Sequence, residues 1–228
     1  MAVTAVATGN NSANASTSVV VSITITAGSN RALGIGVSTD GSSSTTVTSI
    51  TGAGASGYAE VGSIDNGTRI TRLWKGINPT TGAQSVTINF NQATDCVAGV
   101  VEFDGADQTD PIPNAGAVTN TGSSTTPTVD KTGASGNMTF AAATARNTFT
   151  ATNQTSQWLT ANNTGGGGCT AAGTGSPVTH NFTVGGSTAW SIIAAEVVVP
   201  NANVTVALSG SASTSAAGTQ APGISVPL

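Results

Sequence analysis

The residues able to do chemistry are few. The single histidine, His180, lies in SPVTHNFTV (176–184). A Ser-His-Asp hydrolase would need it as base, yet no nucleophile-elbow motif accompanies it. Alternation places Val178, His180 and Phe182 on one face of a strand, so a half-buried or interface imidazole is expected. Cys96 and Cys169 form neither a CxxC pair nor a metal-ligand cluster, and two free thiols are expected. The acids gather once, in EFDGADQTDP (102–111), as Glu102, Asp104, Asp107 and Asp110. An oxygen-rich loop would suit Ca²⁺, but the spacing departs from the EF-hand pattern. Asp before Gly at a strand end is an ordinary turn former, and the turn reading is preferred. Paired carboxylates would suit glycoside hydrolysis, but no aromatic cleft accompanies them. Trp74 and Trp190 lie in apolar strands and read as core. Trp158, in TNQTSQWLTANN (152–163), has polar neighbours and is the candidate for an exposed ring that stacks on a sugar. GGGG (165–168) precedes neither a helix nor a Lys, so it is not a phosphate loop; it reads as a hinge or a tight crossing. No catalytic residue, metal or cofactor is expected.

Composition narrows the classes further. Only 7% of the 228 residues are charged, against about 25% in an average soluble protein. The chain holds 29 glycines and 4% aromatics, so large apolar side chains are scarce. The core must rest on backbone ladders and small-residue packing. Ten acids and six bases give a net charge of −4, with no basic stripe, so direct nucleic-acid binding is not expected. No stretch approaches the roughly 18 apolar residues of a membrane-spanning helix. The start, MAVTAVATGNNSANAS, has neither the basic beginning nor the apolar block of a signal peptide.

The elements that must position these residues are strands. Gly and β-branched residues recur, and helix formers are rare. Strands are expected at 18–26, 31–39, 45–52, 58–64, 68–77, 84–91, 96–105, 178–184 and 189–199, with weaker ones at 126–130, 137–143 and 155–160. Turn formers such as AGSN, DNGT and NPTTG separate them. Val86, Ile88 and Phe90 share one face. Val97, Val101 and Phe103 oppose Cys96, Ala98, Val100 and Glu102. Ile193, Val197 and Val199 oppose Trp190, Ile192 and Val198. Strands apolar on both faces belong in central positions covered on each side. The pattern predicts an all-β fold, a jelly-roll-like antiparallel β-sandwich over 1–199, with a C-terminal extended arm over 200–228.

Several of these stretches occur together in a known group. GSNRALGIGVST (28–39), TVTSITGAGA (46–55), TRLWKGINPTTGAQSVTINF (71–90) and VAGVVEFDGADQTDP (97–111) follow one another in order. The sequence resembles a widespread group of uncharacterised all-β proteins from bacteriophage and prophage gene clusters. VALSGSASTSAAGTQAPGISVPL (206–228) also resembles small-residue segments that end phage tail and other virion proteins. The resemblance covers 28–111 and 203–228. It implies a non-enzymatic virion structural protein, a capsid decoration (cement) or tail-associated subunit, assembled in the host bacterial cytoplasm. It also implies other virion proteins as partners, the major capsid or tail protein, and a homo-oligomer, with a trimer as the expected state. It carries over no catalytic residues. The alternative is a lectin-like glycan-binding module of a phage head or tail fibre.

The arm has its own pattern. Val204, Val206 and Leu208 alternate on one side of a short strand, and Ile224, Val226 and Leu228 repeat this at the chain end. The small residues between them, 209–223, span roughly 50 Å if extended at about 3.3 Å each. Pro227 lacks an N–H, which suits an edge strand. The expectation is an arm that adds a strand to a neighbouring subunit's sheet.

Overall fold

The computed structural model describes residues 2–41 and 44–200. The arm residues Val204, Val206, Leu208, Ile224, Val226 and Leu228 lie outside the described residues. In chain order the strands are β1 (Thr4–Ile25), β2 (Ala32–Asp40), β3 (Val47–Gly52), β4 (Ser56–Asp65), β5 (Arg69–Ile77), β6 (Gly82–Asp104), β7 (Val118–Ser124), β8 (Thr128–Thr132), β9 (Met138–Ala145), β10 (Phe149–Thr152), β11 (Thr155–Ala161), β12 (Gly165–Ala172), β13 (Pro177–Val184) and β14 (Thr188–Val197). Every pairing is antiparallel, and the described residues contain no helix. The chain is all-β, as its composition predicts, and its stacked sheets are those of a β-sandwich.

β1 and β6 are much longer than expected. The stretches 84–91 and 96–105 are one strand, and the strand at 18–26 begins at Thr4. Both bend where the pattern lapses. Pairing shifts register between Ala13 and Ser18, Ala15 adopts a positive φ of 42°, and its N–H donates to Asp95 Oδ1 at 2.7 Å. Such bulges bend a strand and strengthen its twist. The far ends, 18–25 of β1 and 82–90 of β6, then join β3 as a cover over the main part of the same sheet. Between cover and sheet lies an aliphatic core that includes Val19, Val21, Ile23, Leu33, Ile35, Val86 and Ile88.

The opposite face of that sheet, ordered β1-β6-β2-β5-β4, packs on a second sheet ordered β11-β12-β9-β14-β7. Val97, Val101, Phe103, Leu73, Phe140, Ala142, Trp158 and Ile193 fill this central core. The outer face of the second sheet is covered in turn by a three-stranded sheet, β10-β13-β8. Phe149, Phe182, Val184 and Trp190 lie there against Ala141, Ala143 and Ala194. The strand faces assigned to 84–91, 96–103 and 190–197 match these cores. β2, β9 and β12 are buried on both faces; β12 and most of β9 are Gly, Ala and Thr, and β2 alternates Leu33, Ile35 and Val37 with small residues that face the second sheet. The expected jelly-roll connectivity finds no support in this order. The chain completes the first sheet with β1–β6 before it starts the others with β7–β14.

Candidate functional site

Trp158 is not exposed. It is 4% accessible and lies in the central core, so the exposed sugar-stacking ring is corrected. Of the polar neighbours that suggested exposure, Thr155 and Ser156 are exposed, whereas Thr160 lies on the ring's own side and donates to Asn10 Oδ1 on β1 at 2.7 Å. The ring occupies a slot made by glycines on three strands. A Cβ at Gly36, Gly99 or Gly168 would stand 2.7, 2.2 and 2.1 Å from the indole. Gly168 belongs to GGGG, which is strand β12 rather than a hinge; of the two sequence readings, the tight crossing is the one found. Trp190 is core, as expected, with Nε1 donating to Ser124 Oγ at 3.0 Å. Trp74 is partly buried against the aliphatic core.

His180 is fully buried, more than the half-buried ring expected. Its Nδ1 lies 3.2 Å from Cys169 Sγ and its Nε2 3.0 Å from Thr139 Oγ1. One proton arrangement satisfies all of them: the thiol donates to Nδ1, Nε2–H donates to Thr139, and Thr139 donates to Ala171 O at 3.2 Å. Burial lowers the His180 pKa to about 4 and pushes the Cys169 thiol up to about 12. Both shifts favour the neutral pair, whereas nucleophilic catalysis needs a thiolate beside an imidazolium. The arrangement ties β13 to β12 and β9. Cys96 is a second buried free thiol, pushed up to about 11 by burial.

The acids of 102–111 point to different tasks. Glu102 is buried, and its carboxylate accepts from Thr26 N at 2.9 Å and from Thr26 Oγ1 at 3.2 Å. Burial raises its pKa. Asp107 Oδ1 accepts from the N–H groups of Thr109 and Asp110, at 2.7 and 2.8 Å, and so builds a turn. Asp110 pairs with Lys75 Nζ at 2.5 Å. Among the described residues no group of three or more His, Cys, Asp or Glu side chains is placed to hold a metal ion. The loop also fixes the point where the chain leaves the sandwich. Asp107 N donates to Val198 O at 2.8 Å, and Val198 N to Pro111 O at 3.0 Å.

The strongest candidate for an interaction site is the edge strand β1. It pairs with β6 alone among the described residues, and none of its 22 residues is charged. The large hydrophobic side chains exposed among the described residues are Val6 and Val20, 40% and 44% accessible, and both are on β1. The two halves of β1 meet where Asn11 Nδ2 donates to Val20 O at 2.8 Å, and where Gly9 sits so close to Ser22 O that a Cβ would stand 2.1 Å from it. Beside this crossing a groove of about 640 Å³ opens between Ala7 and Thr8 on one wall and Ser22, Ile23, Thr24 and Gln84 on the other. Its walls are small and uncharged. Sequence reasoning passed over this groove because the strand was read only from residue 18. The alternation that buries Val19, Val21 and Ile23 already turns Val20 outward. No protein family, curated protein or solved structure matches the chain.

Proposed function

We propose that the protein is a non-enzymatic structural subunit of a bacteriophage particle, a capsid decoration or tail-associated protein that holds neighbouring subunits together. The observation that carries this reading is the β1 edge: a long, uncharged strand paired on one side only, with both exposed valines and a small-walled groove. Soluble proteins usually blunt such an edge with charge, proline or a cover. The stretches of this edge that Asn11 and Gly9 leave open suit pairing with a strand from another chain. The alternating segment Val204–Leu208, with its small side chains, is the proposed partner, donated by a neighbouring copy or offered to a capsid or tail protein. Val204 lies four residues after Pro200, a reach of about 13 Å when extended, and the second alternating segment, Ile224–Leu228, begins 24 residues after Pro200, a reach of about 80 Å. Trp158, the residue named for the lectin-like alternative, has no exposed ring face to offer it.

Proteomics of purified particles is the first test: the chain is expected at a fixed, high copy number, and its absence overturns the reading. Deleting 201–228 is expected to leave a folded sandwich that joins particles at least tenfold less than the full chain, a factor that corresponds to about 1.4 kcal/mol of contact energy. Normal incorporation would exclude the arm. Val6→Glu with Val20→Glu is expected to block assembly while leaving the core untouched, since both side chains face outward.

A further inference from the structure

Five of the six basic side chains are committed to internal partners. Lys75 binds Asp110, Lys131 faces Glu196, Arg69 pairs with Asp40, Arg31 donates to Pro79 O, and Arg72 donates to Thr45 O. Arg146 is the exception: it is exposed, just past the end of β9, and has no hydrogen bond or ion pair among the described residues. It lines a hollow of about 390 Å³ with Asp40, Thr68, Arg69, Thr188 and Ala189. This is the end of the sandwich where β2 and β9 leave and β5 and β14 enter, so both main sheets contribute. Arg69 is buried and short of acceptors: Nη1 serves Asp40 and, at 3.4 Å, Thr68 O, while Nε has no partner. Asp95, opposite Asp40 in the register, accepts instead from Ala15 N.

We propose that this hollow is a binding subsite for a carboxylate-bearing sugar. Two guanidiniums against one carboxylate leave one positive charge in the hollow, which matches a monoanion better than a phosphate dianion. The Arg146 fork suits a carboxylate held by two parallel hydrogen bonds. The hydroxyls of Thr68 and Thr188 donate to Asn66 Oδ1 and Ala189 O, at 3.3 and 3.4 Å, which leaves their lone pairs to accept from sugar hydroxyls. The volume falls within the range of small-ligand sites, about 300–1,000 Å³. The proposal is independent of the phage reading, because it needs neither the edge strand nor the arm.

The test is a titration of the full chain with glucuronate, glucose and acetate at matched ionic strength, followed by the amide NMR shifts of Thr68, Thr188 and Ala189. Saturable shifts with glucuronate are expected, with none from glucose and at least tenfold weaker binding of acetate. Arg146→Gln, on an exposed side chain without partners, is expected to fold normally and to weaken glucuronate at least about tenfold, the scale of one charge-assisted hydrogen bond. No saturable shift with glucuronate overturns the proposal. So does equal binding by Arg146→Gln, equal binding of glucose, or acetate binding as tightly as glucuronate, which would mark a site for any small anion.

Discussion

The two halves of the molecule solve the same problem in different ways. Each builds a main sheet that must be covered on its outer face. The first half covers itself with the folded-over ends of its own β1 and β6, and the core between them is mostly Val, Ile and Leu from both sides. The second half makes a floor of alanines on β9 beside Trp190, Ile192 and Ala194 on β14, and covers it with a separate sheet carrying Phe149 and Phe182, whose rings meet edge to face at 5.4 Å. In the first half the cover is a continuation of the sheet, so bending two strands suffices. In the second the cover is a separate sheet, and large rings on one side fill the space that small side chains leave on the other. Besides a thiol each, Cys96 and Cys169, the halves bury Glu102 in the first and His180 in the second. Burial moves the pKa values of Glu102 and His180 in opposite directions.

Where the halves meet, Trp158 is the largest side chain in the shared core, so its removal should give the largest effect. Trp158→Ala is expected to cost about 3–5 kcal/mol, the range for emptying a buried aromatic site. Urea unfolding at pH 7.5 would measure it. The slot makes a matched prediction. A methyl at Gly99 would stand 2.2 Å from the indole, so Gly99→Ala is expected to cost about 1–3 kcal/mol by overpacking. In the Trp158→Ala background the same methyl should cost little, because the atoms it strikes are gone. A loss below 1 kcal/mol for Trp158→Ala would mean that the halves are held together by something other than this ring.

That slot also shows why the sequence disclosed some features and concealed others. Alternation identifies the strands and their faces because it is a local property: Val97, Val101 and Phe103 point one way whatever lies opposite. The exposure of Trp158 is not local. Thr155 and Ser156 are exposed and Thr160 is spent on Asn10 of β1, whereas the glycines that admit the ring lie 122, 59 and 10 residues away, at 36, 99 and 168. Likewise GGGG has no pattern to read, since a strand buried on both faces needs neither alternation nor large side chains. The bends of β1 and β6 at Ala13–Ser18 and 91–95 looked like loops because Asn, Ser and Asp serve bulges as well as turns. The partners of His180 were hidden for the same reason as the Trp158 slot: Cys169 and Thr139 lie on two other strands.

The opposed pKa shifts sharpen the comparison through pH. His180 binds a proton near pH 6.5 in the unfolded chain but only near pH 4 when folded. Between those values the unfolded state holds more protons, so the stability conferred by neutral His180 is complete above about pH 6.5 and falls as pH drops. The full loss by pH 4 is about 3 kcal/mol. Glu102 has the opposite sign. Its folded pKa is raised, so its contribution is present below the usual carboxylate range and is lost as pH rises through it. Denaturation midpoints from pH 7.5 to 4.5 should therefore decline in the native protein, decline more steeply in Glu102→Gln, and flatten in His180→Gln. A native profile that is flat across this window would show that His180 is not held neutral by its burial.

The smallest effect is expected at Asp110, where a cluster conspicuous in sequence meets the solvent-exposed rim of the first half. Lys75 is largely buried and also donates to Ile112 O at 3.0 Å and Asn114 Oδ1 at 3.1 Å. Asp110, by contrast, is 49% exposed. With one partner half in water, Coulomb attraction is screened, and exposed pairs of this kind contribute roughly 0–1 kcal/mol. Asp110→Asn keeps the shape of the side chain and leaves Lys75 two acceptors, so a loss of at most about 1 kcal/mol is expected, and it should shrink further in 1 M salt. Addition of millimolar Ca²⁺ should leave the unfolding temperature of both proteins unchanged, because the carboxylates of Glu102, Asp107 and Asp110 are turned to Thr26, to a turn and to Lys75. A Ca²⁺-dependent rise in the native protein that vanished in Asp110→Asn would reverse this assignment and make the loop a cation site after all.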